Sequence, residues 1–247
     1  MKNSMDSLAV LRSVEALILR YVEVTSVYLQ LTVKKNPFKG PSLSYTQRLA
    51  SPIIVKLPHR AREKKLTQLK ICLVVKDPTQ KYFRALEEDK KAVTHGLFSD
   101  ILSITKLKKR LASNEFDIKD FDLIVVQQNV AHLLPDVIDP KLFRSSKTTP
   151  VPIHIANEID PRLVSYQVKK IVNKSAVLSI PPEGSTCMSI LIGNTAMGVT
   201  KLAENVLAAV DGLIGTADMI GDWENISGVH IKTADSASLP LWKPSQV

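Results

Sequence analysis

The sequence predicts an α/β fold of two domains, in which a small parallel sheet with crossover helices is inserted into a discontinuous α+β domain. Three observations carry this expectation. Two strand-like apolar runs, Ile53–Leu57 and Leu69–Val75, flank a crossing that sets Arg60, Arg62, Lys64 and Lys65 against the one acid Glu63, as a linker between two cores would. Beyond that crossing, strand and helix patterns alternate at the spacing of a parallel sheet. The first 57 residues hold too few elements to form a layered domain alone, so residues from about 160 onward are expected to complete it. The expected boundaries are 1–65 with 156–247 for the discontinuous domain and 66–155 for the insert, with crossings near 58–68 and 152–160.

Leu8, Leu11, Val14, Ile18 and Tyr21 recur at helical intervals and predict a helix over 6–22, capped by Asp6 or Ser7. VYLQLTV at 27–33 alternates as a strand with one wetter face, and the polar, turn-forming types of 34–50 predict an irregular connection. In the insert, strands are expected at 69–75, 101–104, 121–126 and 151–155. Helices are expected at 79–91, at 105–111 and from Val130 to near Pro135. Asp160-Pro161 is a helix-start signal, with Val164, Val168, Ile171 and Val172 as its apolar face. A hairpin over 176–192 turning at Pro181–Gly184, a helix over 200–214, a loop holding Trp223 and a last strand at 228–233 follow. Pro240-Leu-Trp242 is expected to lie along the surface.

The chain carries 33 Lys and Arg against 24 Asp and Glu, a net charge of +9, which favours a polyanionic partner. Its two cysteines, Cys72 and Cys187, read as thiols of a reducing compartment. No apolar run is long enough for a spanning helix, so no membrane role is expected. Neither phosphate-binding glycine motif is present, no G-x-S-x-G elbow occurs, and the five histidines never fall at metal-ligand spacing. Glu87-Glu88-Asp89 are consecutive and do not share a helix face. No catalysis, metal, cofactor or small-molecule substrate is therefore expected. Cations cluster at Lys34-Lys35, at Lys56 with the crossing, at Lys106–Arg110, at Arg144 with Lys147, and at Lys169-Lys170. Each cluster alone fits a solvated face; several together would make a phosphate-binding surface. Aromatics are 5% of the chain, which favours contact with folded RNA over a stacking platform for single strands.

VYLQLTVKK at 27–35, Leu57-Pro58-His59 before the basic crossing and ICLVV, FDLIVVQQNVAHLLPDVI at 121–138 and KLAENVLAAVDGL at 201–213, in this order, resemble the ribosomal protein L1 family. HLLPDVIDPKLFRSSKTTPVPI and WENISGVHIKTADSASLPLW are similar to its eukaryotic ribosome-biogenesis branch. The resemblance implies an L1-like fold with a Rossmann-like insert. It also implies noncatalytic binding of pre-ribosomal RNA and assembly proteins in the nucleolus of the nucleus. At the place of the family's Gly-Pro-Arg-Gly-Leu-Met-Pro-Asn-Pro segment this chain has Phe143–Pro152, and its last strand ends in Lys232–Ser238 instead of Ser-Thr-Thr-Met-Gly-Pro. Thr233 is carried over as a polar RNA contact. The expected RNA-binding set is Lys34, Lys35, Lys56, Arg60, Thr233, Ser236 and Ser238, with Arg62, Lys64, Lys65, Arg144 and Lys147 as phosphate support. A protein-interaction module with incidental RNA contact is the alternative.

Overall fold

The computed structural model describes residues 5–21, 23–35, 52–139, 142–143, 148–179, 185–214, 220 and 222–244. In chain order its elements are α1 (Ser7–Ile18), β1 (Ser26–Val33), β2 (Ile54–Lys56), β3 (Ile71–Val75), α2 (Gln80–Phe83), β4 (Asp100–Ser103), α3 (Ile104–Ala112), β5 (Leu123–Gln127), β6 (Val151–Ile153), α4 (Pro161–Lys174), β7 (Ser175–Ser179), β8 (Cys187–Asn194), α5 (Val199–Ile214), β9 (Ile226–Thr233) and β10 (Leu239–Trp242). The described residues divide into two compact units. The first takes those up to Lys35, Ile53–Glu63 and those from Asn173 on; the second takes Pro52 and Lys64–Val172.

The first unit is a 6-stranded sheet in the order β10-β9-β1-β8-β7-β2, antiparallel at every pairing. Alternation in β1 sends Val27, Leu29, Leu31 and Val33 into the core, where α1 and α5 pack on each other and on the sheet. Asp6 caps α1 by accepting from Leu8 N (3.0 Å), and Val10, Val14 and Leu17 form its buried face. Before α5, Gly198 turns the chain at φ +81°, a conformation that favours glycine. Pro240-Leu-Trp242 departs from expectation: it is the edge strand β10, paired with β9, with Leu241 in the core. A proline lacks only the N–H that an edge strand can spare. Trp242 packs on Trp223 at a ring separation of 4.8 Å.

The second unit is a 4-stranded parallel sheet in the order β4-β3-β5-β6. All five residues of β3 and of β5 are buried, as in a sheet covered on both faces. The helix expected over 79–91 is shorter: α2 passes into a π-helical stretch, Arg84–Glu88, and the Glu87 carboxylate then accepts from Gly96 N (2.8 Å). Gln128–Asp136 is a 3-10 helix that contains Pro135. Gln127 ties three strand ends together, accepting from Lys76 N (3.0 Å) and the Tyr82 hydroxyl (2.9 Å) and donating to Ile155 O (3.4 Å).

The chain changes unit at Glu63/Lys64 and at Val172/Asn173, so α4 belongs with the parallel sheet, whereas the sequence assigned it to the discontinuous domain. Gln167 supplies a physical reason, since its amide accepts from His154 N (2.9 Å) and donates to His154 O (2.8 Å), stapling the helix to the segment after β6. The connection over 36–50 and the turn Pro181–Gly184 lie outside the described residues.

Burial, reinforced by Asp100 and opposed by Arg110, pushes the Cys72 thiol up to about 12. At pH 8 about one such thiol in ten thousand is ionised, so iodoacetamide should leave Cys72 untouched until the second unit unfolds. Half-buried Cys187, in the first unit, is the internal reference. Mass-spectrometric alkylation rates check this; native labelling of Cys72 at the rate of Cys187 would contradict it.

Candidate nucleic-acid interface

The two helices of the first unit cover one face of its sheet. Among the described residues no helix covers the other, and its composition follows from strand alternation. Tyr28, Gln30 and Thr32 point outward from β1, His230 and Lys232 from β9, and Cys187 and Ser189 from β8. The register sets Tyr28 opposite Lys232, and Gln30 between His230 and Ser189. Tyr28, Gln30, Cys187, Ser189 and Lys232 line a shallow concavity of ≈ 320 Å³. A β-carbon at Gly228 would lie 2.8 Å from the His230 ring, so the glycine leaves room for the imidazole to lie over the strand. Burial first, and then the charge of Lys243, hold the His230 pKa below its ordinary value, so the ring is neutral at pH 7.

Lys34 and Lys35 stand exposed just past β1. Asn225 fixes their backbone: Lys34 N donates to Asn225 O (2.7 Å), Lys35 N to Asn225 Oδ1 (2.9 Å), and Asn225 Nδ2 to Lys35 O (3.0 Å). Ser236 and Ser238 lie at the opposite end of the ladder, because Val27 pairs with Thr233 and Val33 with Ile226. Seven residues of extended chain, roughly 23 Å, separate the two ends. The sequence-predicted contacts therefore do not converge on one point; the outward row of Tyr28, Gln30, Thr32, His230 and Lys232 spans the interval between them.

Thr233 corrects the expectation made for it. Its side chain is 0% exposed and its hydroxyl donates to the Tyr21 hydroxyl (3.0 Å), because position 233 falls on the inward face of β9. Its N–H donates to Ser236 Oγ (2.8 Å), which closes the strand end. Lys56 is exposed on β2, on the same outward side as Ile54, since the intervening Val55 packs inward against α5. Arg60 is half-buried and wraps its own crossing, donating to Arg62 O (3.1 Å) and Glu63 O (3.5 Å). Lys64 and Lys65 belong to the second unit, where Lys64 pairs with Asp122 (2.9 Å). Arg144 and Lys147 lie outside the described residues.

The model of the ribosomal protein L1p/L10e family matches residues 21–237. The chain belongs to this family. It is 27% identical over 195 residues to ribosome biogenesis protein UTP30 of Saccharomyces cerevisiae, spanning 72% of this chain and 69% of that protein. It is 29% identical over 224 residues to a putative ribosome biogenesis protein of Schizosaccharomyces pombe, spanning 90% of this chain and 72% of the relative. The antiparallel and parallel sheets are the two-domain α/β architecture of this L1-family member.

Sequence reasoning missed Gln30, His230, Lys232 and Asn225. The alternation of VYLQLTV and GVHIKT already placed Gln30, His230 and Lys232 on one side of their strands. That the two strands are neighbours was not readable, and without it the row does not exist.

Proposed function

We propose that this chain is a noncatalytic ribosome-biogenesis factor that binds pre-ribosomal RNA within a nucleolar pre-ribosomal particle. The observation that carries the reading is the polar and cationic outward row of the first unit's sheet, extended by Lys34 and Lys35, in a chain whose named relatives are ribosome biogenesis proteins. The lysines supply counterion release, while Gln30 and Ser189 supply hydrogen-bonding groups that place the RNA. Replacing Lys34 and Lys35 together by alanine should weaken binding of a precursor-rRNA transcript about fivefold at physiological salt. It should also reduce the slope of log K against log salt by about 1.5. Unchanged affinity and slope would reject these positions.

Burial of Thr233 favours a second reading, a protein-interaction module of the particle with incidental RNA contact. Crosslinking from Tyr28 and Lys232 in assembled particles separates the two: RNA adducts support the first reading, and adducts confined to protein support the second.

A further inference from the structure

The helix α3 of the second unit, ITKLKKRLA, holds four cations and no acid. Leu107 is its buried anchor, and Arg110 turns aside to pair with Asp100 (3.1 Å). Lys106, Lys108 and Lys109 are exposed. The side chains of Lys108 and Lys109 make no hydrogen bond or ion pair among the described residues, and Lys106 and Lys109 share a face one turn apart. A cation in the last turn favours the helix dipole, which accounts for Lys109 and Arg110. It does not account for Lys106, which stands in the first turn, where the dipole opposes positive charge. Asp77 offsets that cost: it accepts from the Thr105 hydroxyl (2.8 Å), and a hydrogen bond from the Ser103 side chain is the largest influence holding its carboxyl below the usual range. Like charges at this spacing weaken the helix they sit on, so solvation alone leaves the placement without a gain.

We infer that α3 is a second RNA contact, whose lysine face holds backbone phosphates of double-helical RNA without reading sequence. Three features select this occupant. Lysines are point charges with no bidentate fork for base edges. The helix carries no aromatic for base stacking, which a single strand would use. Duplex RNA is recognised through its shape and backbone. The inference rests on the RNA-binding reading above and adds to it a contact on the other unit.

The test is titration of the full chain with a synthetic RNA duplex of arbitrary sequence across a series of KCl concentrations. The unmodified chain is compared with Lys106→Gln/Lys108→Gln/Lys109→Gln, with the corresponding triple arginine variant, and with Lys34→Ala/Lys35→Ala. Glutamine keeps the helix propensity, and circular dichroism verifies folding. The glutamine variant should bind about tenfold more weakly, with a salt slope shallower by about 2, while arginine restores both. Should the glutamine variant not fold, a loss of duplex affinity in the charge-preserving arginine variant would by itself overturn the inference. If the glutamine variant binds like the unmodified chain while the Lys34/Lys35 variant is weakened, α3 is not an RNA contact and the first-unit interface stands. If the unmodified chain shows no salt-dependent binding to this duplex, α3 is again overturned. If it also fails to bind the precursor-rRNA transcript, the RNA-binding reading falls with it.

Discussion

Replacing Asn205 by leucine should destabilise the first unit by roughly 3 kcal/mol and lower its melting temperature by about 10 °C. Asn205 is 0% exposed on α5, and its amide meets three backbone groups. Oδ1 accepts from His59 N (3.0 Å), while Nδ2 donates to His59 O (3.0 Å) and to Ile192 O (2.7 Å). Leucine keeps the number and branching of the side-chain heavy atoms but is bulkier, and it satisfies none of them. Each buried group left unpaired costs about 1–3 kcal/mol, partly recovered where water reaches His59. Next to this clasp His59 and Glu204 form a side-chain pair, so the Leu-Pro-His turn is anchored to α5 twice. Both tryptophans lie in the first unit, which makes their fluorescence a report on that unit alone. A melting shift under 2 °C would mean that the clasp contributes little.

Replacing Tyr28 and Lys232 together by alanine should cost about 2 kcal/mol of RNA affinity, roughly thirtyfold, while leaving the fold intact. Both side chains point to the wet face, so neither fills the core. The two single variants divide the effect. Lys232→Ala should make the salt slope shallower by about 0.8, the change expected if one phosphate contact is lost. Tyr28→Ala should weaken binding at an unchanged slope, and Tyr28→Phe should preserve it, if one unpaired base of the folded RNA meets the ring and not the hydroxyl. Salt slopes and affinities equal to those of the unmodified chain in the double variant and in both alanine single variants would remove this face from RNA binding.

Apart from β10, the strands of both sheets were legible because their periodicity is a local property. VYLQLTV declares its own two faces, and ICLVV declares burial on both. The allegiance of α4 was not legible, since Val164, Val168, Ile171 and Val172 would pack on either core. The Gln167 clasp on His154 that accompanies the choice joins residues 13 apart, through a side chain that gives no sequence signal. β10 was hidden by Pro240, which demotes a strand anywhere except at a sheet edge. The predicted RNA contacts were named by segment. Antiparallel pairing then separated Lys34 and Lys35 from Ser236 and Ser238, and turned Thr233 inward.

The chain leaves the first unit after β2 and comes back into β7, and those two strands are neighbours. Lys56 stands opposite Ser175, and Leu57 N donates to Lys174 O (3.0 Å). Departure and return are thus held side by side, like the two ends of a thread passed through one eyelet. The long excursion between them adds little strain to the body it leaves, and a few glycines joining the two passages could stand in for it. The first lobe could then be made and assayed on its own, and the excised lobe could vary in sequence without disturbing it.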